Sequence, residues 1–62
     1  MYKKYAELRD KYHMTDYYVA EKVGVSRATL SNWKNGKHKI SRKTIDKLAK
    51  LFKVDVLTFF DD

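Results

Sequence analysis

The chain has 62 residues, enough for one domain (1–62) in which roughly 60% of the unfolded surface can be buried, so the core must be small and well packed. It has no cysteine, and its two histidines, His13 and His38, stand far apart without ligand-type neighbours, which leaves neither disulfide nor metal as a staple and no expected cofactor. The net charge is +6, and the segment from Arg27 to Lys50 holds eight cations against the single anion Asp46 (+7), while the remainder holds six against seven (−1).

A charge excess gathered in one stretch points to a polyanionic partner more than to general solubility. The polar N-terminus, Met1-Tyr2-Lys3-Lys4-Tyr5-Ala6-Glu7, fits neither a secretory signal nor a membrane span, and a soluble cytoplasmic protein is expected. No carboxylate pair, nucleophile–base set or phosphate-cradling glycine loop is present, so catalysis is not expected.

Periodicity predicts helices throughout. From Tyr2 to His13, Tyr5, Leu8 and Tyr12 fall at i, i+3, i+7 and form one apolar face. Thr15 can cap a second helix, with Asp16 in its first turn where the helix dipole favours an anion. Val19, Ala20 and Val23 make its inner face, and Gly24 ends it by accepting the left-handed conformation. Ser26 caps a third helix that buries Leu30 and Trp33 and stops near Asn35-Gly36. After the basic loop Lys37-His38-Lys39-Ile40, Ser41 caps a fourth helix with Ile45, Leu48, Ala49 and Phe52 at i, i+3, i+4, i+7. Asp55 can cap a fifth containing Val56, Leu57, Phe59 and Phe60. No run alternates with period two for long enough to make a strand, so an all-α, compact five-helix domain is expected.

The stretch Thr15–Lys37, TDYYVAEKVGVSRATLSNWKNGK, resembles the Cro and phage-repressor (XRE-like) helix-turn-helix family, and the likeness continues through GKHKIS and Phe52-Lys53-Val54-Asp55. Ala20 falls where the two helices cross, Gly24 makes the turn, and Val19, Val23, Val25, Leu30 and Trp33 occupy the family's buried positions. The resemblance implies a lambda-repressor-like fold with the third helix in the major groove of double-stranded DNA and the second across the backbone.

Position for position, it implies that Arg27, Ala28, Ser31 and Asn32 face bases, with Ser26 and Asn35 at the ends. Arg27 suits guanine O6 and N7, Asn32 adenine N6 and N7, and Ala28 a thymine methyl. Lys37, Lys39 and Arg42 match phosphate-approaching positions, joined by backbone N–H groups after Ser41. For Lys43, Lys47 and Lys50 a solvated helix face is an equally good account, and Trp33 reads as core rather than a base-stacking ring.

Three positions depart from the family pattern. Asp16 replaces a common glutamine and would repel phosphate unless it serves only the helix end; Lys34 replaces the glutamate that pairs with Arg9; Ile40 replaces a common proline. Another arrangement must then hold the first helix, with Asp10, Glu7 and Asp46 the alternatives.

The implied function is a sequence-specific transcription regulator, a small phage or mobile-element repressor occupying a palindromic operator as a homodimer. Leu57 and Phe60 are the candidate dimer seam, whereas Phe59 is assigned to the core. The rival is a protein-interaction module of antitoxin or antirepressor type on the same fold. Asp16 and the small Ala28 and Ser31 suit that rival, which leaves the clustered charge unexplained.

Overall fold

In a computed structural model, which describes residues 1–60, four α-helices and one 3-10 turn follow one another: α1 (Tyr2–Lys11), α2 (Asp16–Val23), α3 (Arg27–Lys34), α4 (Arg42–Phe52) and the 3-10 turn Val56–Phe60. The described residues form no strand.

The starts of α2, α3 and α4 are set by local chemistry. Thr15, Ser26 and Ser41 each lie in extended backbone and accept, through the side-chain oxygen, the N–H of the residue three positions on: Tyr18 at 3.0 Å, Thr29 at 3.1 Å and Thr44 at 3.1 Å. Each bond satisfies one of the donors that a helix start leaves without an intrahelical partner.

The ends are equally uniform. A left-handed residue closes each of the four helices, and the next N–H reaches back five residues: Met14 to Arg9 O, Val25 to Ala20 O, Lys37 to Asn32 O and Val54 to Ala49 O. Gly24 (φ 76°) and Gly36 (φ 72°) take the left-handed position cheaply, whereas His13 (φ 56°) and Lys53 (φ 57°) take it with a Cβ present. At His13 the turn shortens the expected first helix, which ends at Lys11 instead of His13.

The expected short fifth element is a 3-10 turn of five residues, so the α-helices number four among the described residues and the five-helix count is not reached. Asp55 does cap it, Oδ1 accepting from Leu57 N at 2.9 Å, but the main-chain bond from Thr58 N runs to Asp55 O, three residues back. Such a segment is too short to gain from the i to i−4 ladder, and its fit is decided by Phe59, which is fully buried.

Tyr5, Leu8, Val19, Ala20, Val23, Leu30, Trp33, Ile45, Leu48, Ala49, Phe52 and Phe59 make one core cluster. The radius of gyration, 10.4 Å, equals the roughly 10.6 Å of a compact chain this long. Tyr12, expected on the buried face, is 44% exposed and lies flat against Phe52 at 6.0 Å, because the chain leaves the helix one residue before it. No helix among the described residues is long and apolar enough to cross a membrane.

Candidate nucleic-acid interface

α3 has two faces with separate tasks. Leu30 and Trp33 point inward, and Trp33 meets the ring of Tyr2 edge-on at 5.2 Å and that of Tyr5 at 5.4 Å, so α3 is tied to α1. Arg27, Ala28 and Ser31 are exposed on the other face, and Asn32 is half-buried. The main-chain carbonyl of Asn32 accepts from Lys37 at 2.8 Å and His38 at 3.4 Å, which folds the basic loop back over the end of the helix.

Ser26, an end position in the sequence reading, is occupied by capping: its hydroxyl bonds both Thr29 N and the Thr29 hydroxyl. Asn35 closes the helix and is exposed.

Lys37 and Lys39 project from the loop into solvent, and Arg42 opens α4. Arg42 has intramolecular partners as well, its Nε 3.3 Å from Asp46 Oδ1 and its guanidinium 5.6 Å above the ring of Phe60. Lys47 and Lys50 lie elsewhere, lining a shallow hollow with Glu21, Lys22 and Gly24 beside the end of α2. The basic segment is therefore divided. Lys37 and Lys39 lie in the loop that follows α3 and Arg42 opens α4, whereas Lys47 and Lys50 border the C-terminal end of α2.

The position of Asp16 resolves two of the departures noted in the sequence, its own and the lost partner of Arg9. Its Oδ1 accepts from the Tyr5 hydroxyl at 2.6 Å and from Arg9 Nη1 at 3.0 Å, while Arg9 Nε bonds Asp10 Oδ1 at 3.0 Å. Of the three alternatives for Arg9 only Asp10 is used; Glu7 pairs with Lys4 and Asp46 with Arg42. Asp16, absent from those alternatives, is the anion that ties α1 to α2.

Partial burial pushes the Asp16 carboxyl up, but the hydrogen bonds from Tyr5 and Arg9 and the charges of Arg9 and Lys34 outweigh it and hold the group below the usual range. Burial and then the bond to Asp16 push the Tyr5 phenol well above its ordinary value, which keeps it a donor.

A depressed folded-state pKa adds stability that is present above the unfolded value and lost as pH falls through the folded one. Asp16→Asn is expected to cost about 1 kcal/mol near neutral pH, the side chain being 43% exposed and its ion pair screened, and to reduce the loss of stability below about pH 4. Thermal melts at pH 7 and pH 3 check this. An unchanged melting point at pH 7 refutes the structural role of the carboxylate.

Tyr17, which matches no motif position in the sequence, is 62% exposed at the second position of α2, and the Arg27 guanidinium sits over its ring at 5.4 Å. The only sequence signal is an aromatic ring off the Val19-Ala20-Val23 face.

Leu57 and Phe60, the candidate seam, are 65% and 47% exposed and line an open hollow with Asp55 and Thr58. A further hollow of about 420 Å³, lined by Tyr12, His13, Met14, Thr15 and Tyr18, contains no carboxylate in its lining.

Residues 6–59 match a helix-turn-helix family model. Two proteins of Archaeoglobus fulgidus, each named as an uncharacterized HTH-type transcriptional regulator, are 40% and 36% identical to the chain over 58 residues, covering 90% of this chain and 83% and 82% of theirs. No solved structure gives a significant match. With a family model spanning most of its length and relatives at this identity, the chain belongs to the helix-turn-helix family of XRE type.

Proposed function

We propose that this protein is a sequence-specific double-stranded DNA-binding transcription regulator that represses by occupying an operator. The observation that carries the reading is α3 itself: anchored inward by Leu30 and Trp33, it presents Arg27, Ala28 and Ser31 outward and is followed in the chain by the exposed cations Lys37, Lys39 and Arg42. The relatives named as transcriptional regulators support it.

Arg27, Ala28, Ser31 and Asn32 read base edges in the major groove. Ser26, Asn35, Lys37, Lys39 and Arg42 approach phosphates and fix the register without reading sequence. Arg42 does so by exchanging Asp46 for a phosphate oxygen. Asp16 is no obstacle, because its charge is spent on Arg9 and Tyr5.

A salt titration with duplex DNA tests the reading. Log affinity is expected to fall linearly with log salt at about −0.9 per phosphate neutralised, or roughly −3 per domain for Lys37, Lys39 and Arg42 together. No affinity for any duplex at low salt sinks the proposal and leaves the protein-partner role.

A domain with Cα extents of 24 × 21 × 19 Å covers little more than one groove, and half-sites about 34 Å apart call for a symmetric pair. The exposed Leu57 and Phe60 are the seam through which a palindromic operator is read. Sedimentation of Leu57→Asp beside the parent protein, with and without a two-half-site duplex, is expected to show the parent alone pairing. Equal masses under both conditions remove the seam.

A further inference from the structure

We infer that Tyr17 is a positioning residue for base recognition, an aromatic platform on α2 that holds the Arg27 guanidinium ready to meet a base. The inference rests on the DNA-reading role of α3 proposed above.

Tyr17 is the second residue of α2 and Arg27 the first of α3. They come together because α2 and α3 are joined by a turn of three residues and pack through Ala20, which is 4% exposed and too small to hold the helices apart. Tyr17, Ala20, Glu21, Val25 and Arg27 line one shallow hollow of about 250 Å³ on the outer side of that junction.

Within it the guanidinium carbon stands 5.4 Å from the ring centroid of Tyr17, inside the roughly 6 Å range of a cation–π contact. A tyrosine that is 62% exposed contributes little to the core, so its contact with Arg27 is the task the structure gives it.

The chemistry of this pairing differs from that of a salt bridge. Among the described residues Arg27 has no ion pair, although Glu21 borders the same hollow. A carboxylate would occupy the in-plane N–H groups that a guanine or phosphate needs, and it would have to be displaced on binding. A ring instead engages the guanidinium through its face and leaves the five N–H donors in the plane available. It also restricts a side chain whose rotamer freedom is otherwise lost when DNA binds, so less is forfeited on complex formation.

The consequence is specific to one base pair. Loss of the ring lets Arg27 explore other rotamers, and the preference for the base it reads declines while phosphate contacts are untouched.

The test uses the full chain and a duplex selected by the parent protein from a random library, together with single-base variants of that duplex. Arg27→Ala identifies the base pair that Arg27 reads, by a roughly 5- to 150-fold loss of preference there. Tyr17→Leu is expected to lose about two- to fivefold of the preference at that same base pair and none elsewhere. Tyr17→Phe, which keeps the ring, is expected to retain the parent preference. The double variant Tyr17→Leu/Arg27→Ala is expected to match Arg27→Ala alone within about twofold, since the ring acts only through the arginine.

Circular dichroism confirms that the variants are folded, as exposure of Tyr17 leads one to expect. Unchanged preference in Tyr17→Leu, or an equal weakening on every duplex, overturns the inference while leaving the DNA-reading role of α3 in place. If the parent binds no duplex, or Arg27→Ala loses no preference at any base pair, the reading on which the inference rests is overturned first.

Discussion

Replacing Arg27 by alanine is expected to cost about 1–3 kcal/mol on the preferred duplex and to abolish discrimination at one base pair, while Lys39→Ala weakens preferred and random duplexes alike. The difference follows from what each side chain can recognise. Arg27 opens α3 on its exposed face, where a planar guanidinium can meet two acceptors on one guanine edge, an arrangement that no other base pair offers in the major groove. Lys39 projects from the loop after α3 as a point charge suited to phosphates, which are the same at every step of the duplex. Competition binding with duplexes varied one base at a time checks both variants in one series. Equal losses for Arg27→Ala on preferred and random DNA refute its base-reading role, and a loss confined to one sequence for Lys39→Ala refutes the anchoring one. Neither side chain contributes to the core cluster, so both variants retain the parent melting point, and the comparison reports on recognition alone.

The parts of this arrangement that depend on residues close in sequence were legible before the structure. Thr15, Ser26 and Ser41 cap as expected because a cap requires only a hydroxyl and an N–H three residues later. The apolar faces of α2, α3 and α4 follow from spacing for the same reason. What escaped notice requires two helices to be placed first. Arg9 and Asp16 are seven residues apart around the corner closed by His13, whereas the sequence around Asp16 signals only a helix end. Tyr17 and Arg27 meet across the helix pair, in a contact that no periodicity encodes. The left-handed turns at His13 and Lys53 were invisible because residues with a Cβ carry no signal for that conformation, unlike Gly24. The type of the last element is not encoded in the spacing, because five residues cannot show a period, and burial of Phe59 decides its 3-10 form.

Trp33→Ala is expected to remove about 3–5 kcal/mol of stability, the largest effect of any substitution considered, and with it all DNA binding irrespective of sequence. Trp33 is 9% exposed, and its indole ends a column of rings: edge-on to Tyr2 at 5.2 Å, tilted on Tyr5 at 5.4 Å, with Tyr5 in turn 6.2 Å from Phe52 of α4. Truncation leaves a void beside the rings of Tyr2 and Tyr5, where α3 meets α1, and a chain of 62 residues has total stability of only about 3–9 kcal/mol to set against it. At roughly 4–8 °C per kcal/mol for a domain this small, the melting point falls by tens of degrees. Trp33→Phe keeps a ring in the column and is expected to lose much less. Thermal melts followed by circular dichroism check both, and a Trp33→Ala protein that melts within a few degrees of the parent removes the ring column from the account of stability. The link to the proposed function is the length of α3. α3 has eight residues, too few to persist as a helix in water without packing, so its outer face exists only while its inner face is held. Trp33→Ala and Arg27→Ala are thus expected to fail in opposite ways: the first dissolves the surface that Arg27 needs, and the second leaves a folded domain expected to bind DNA with one fewer base distinguished.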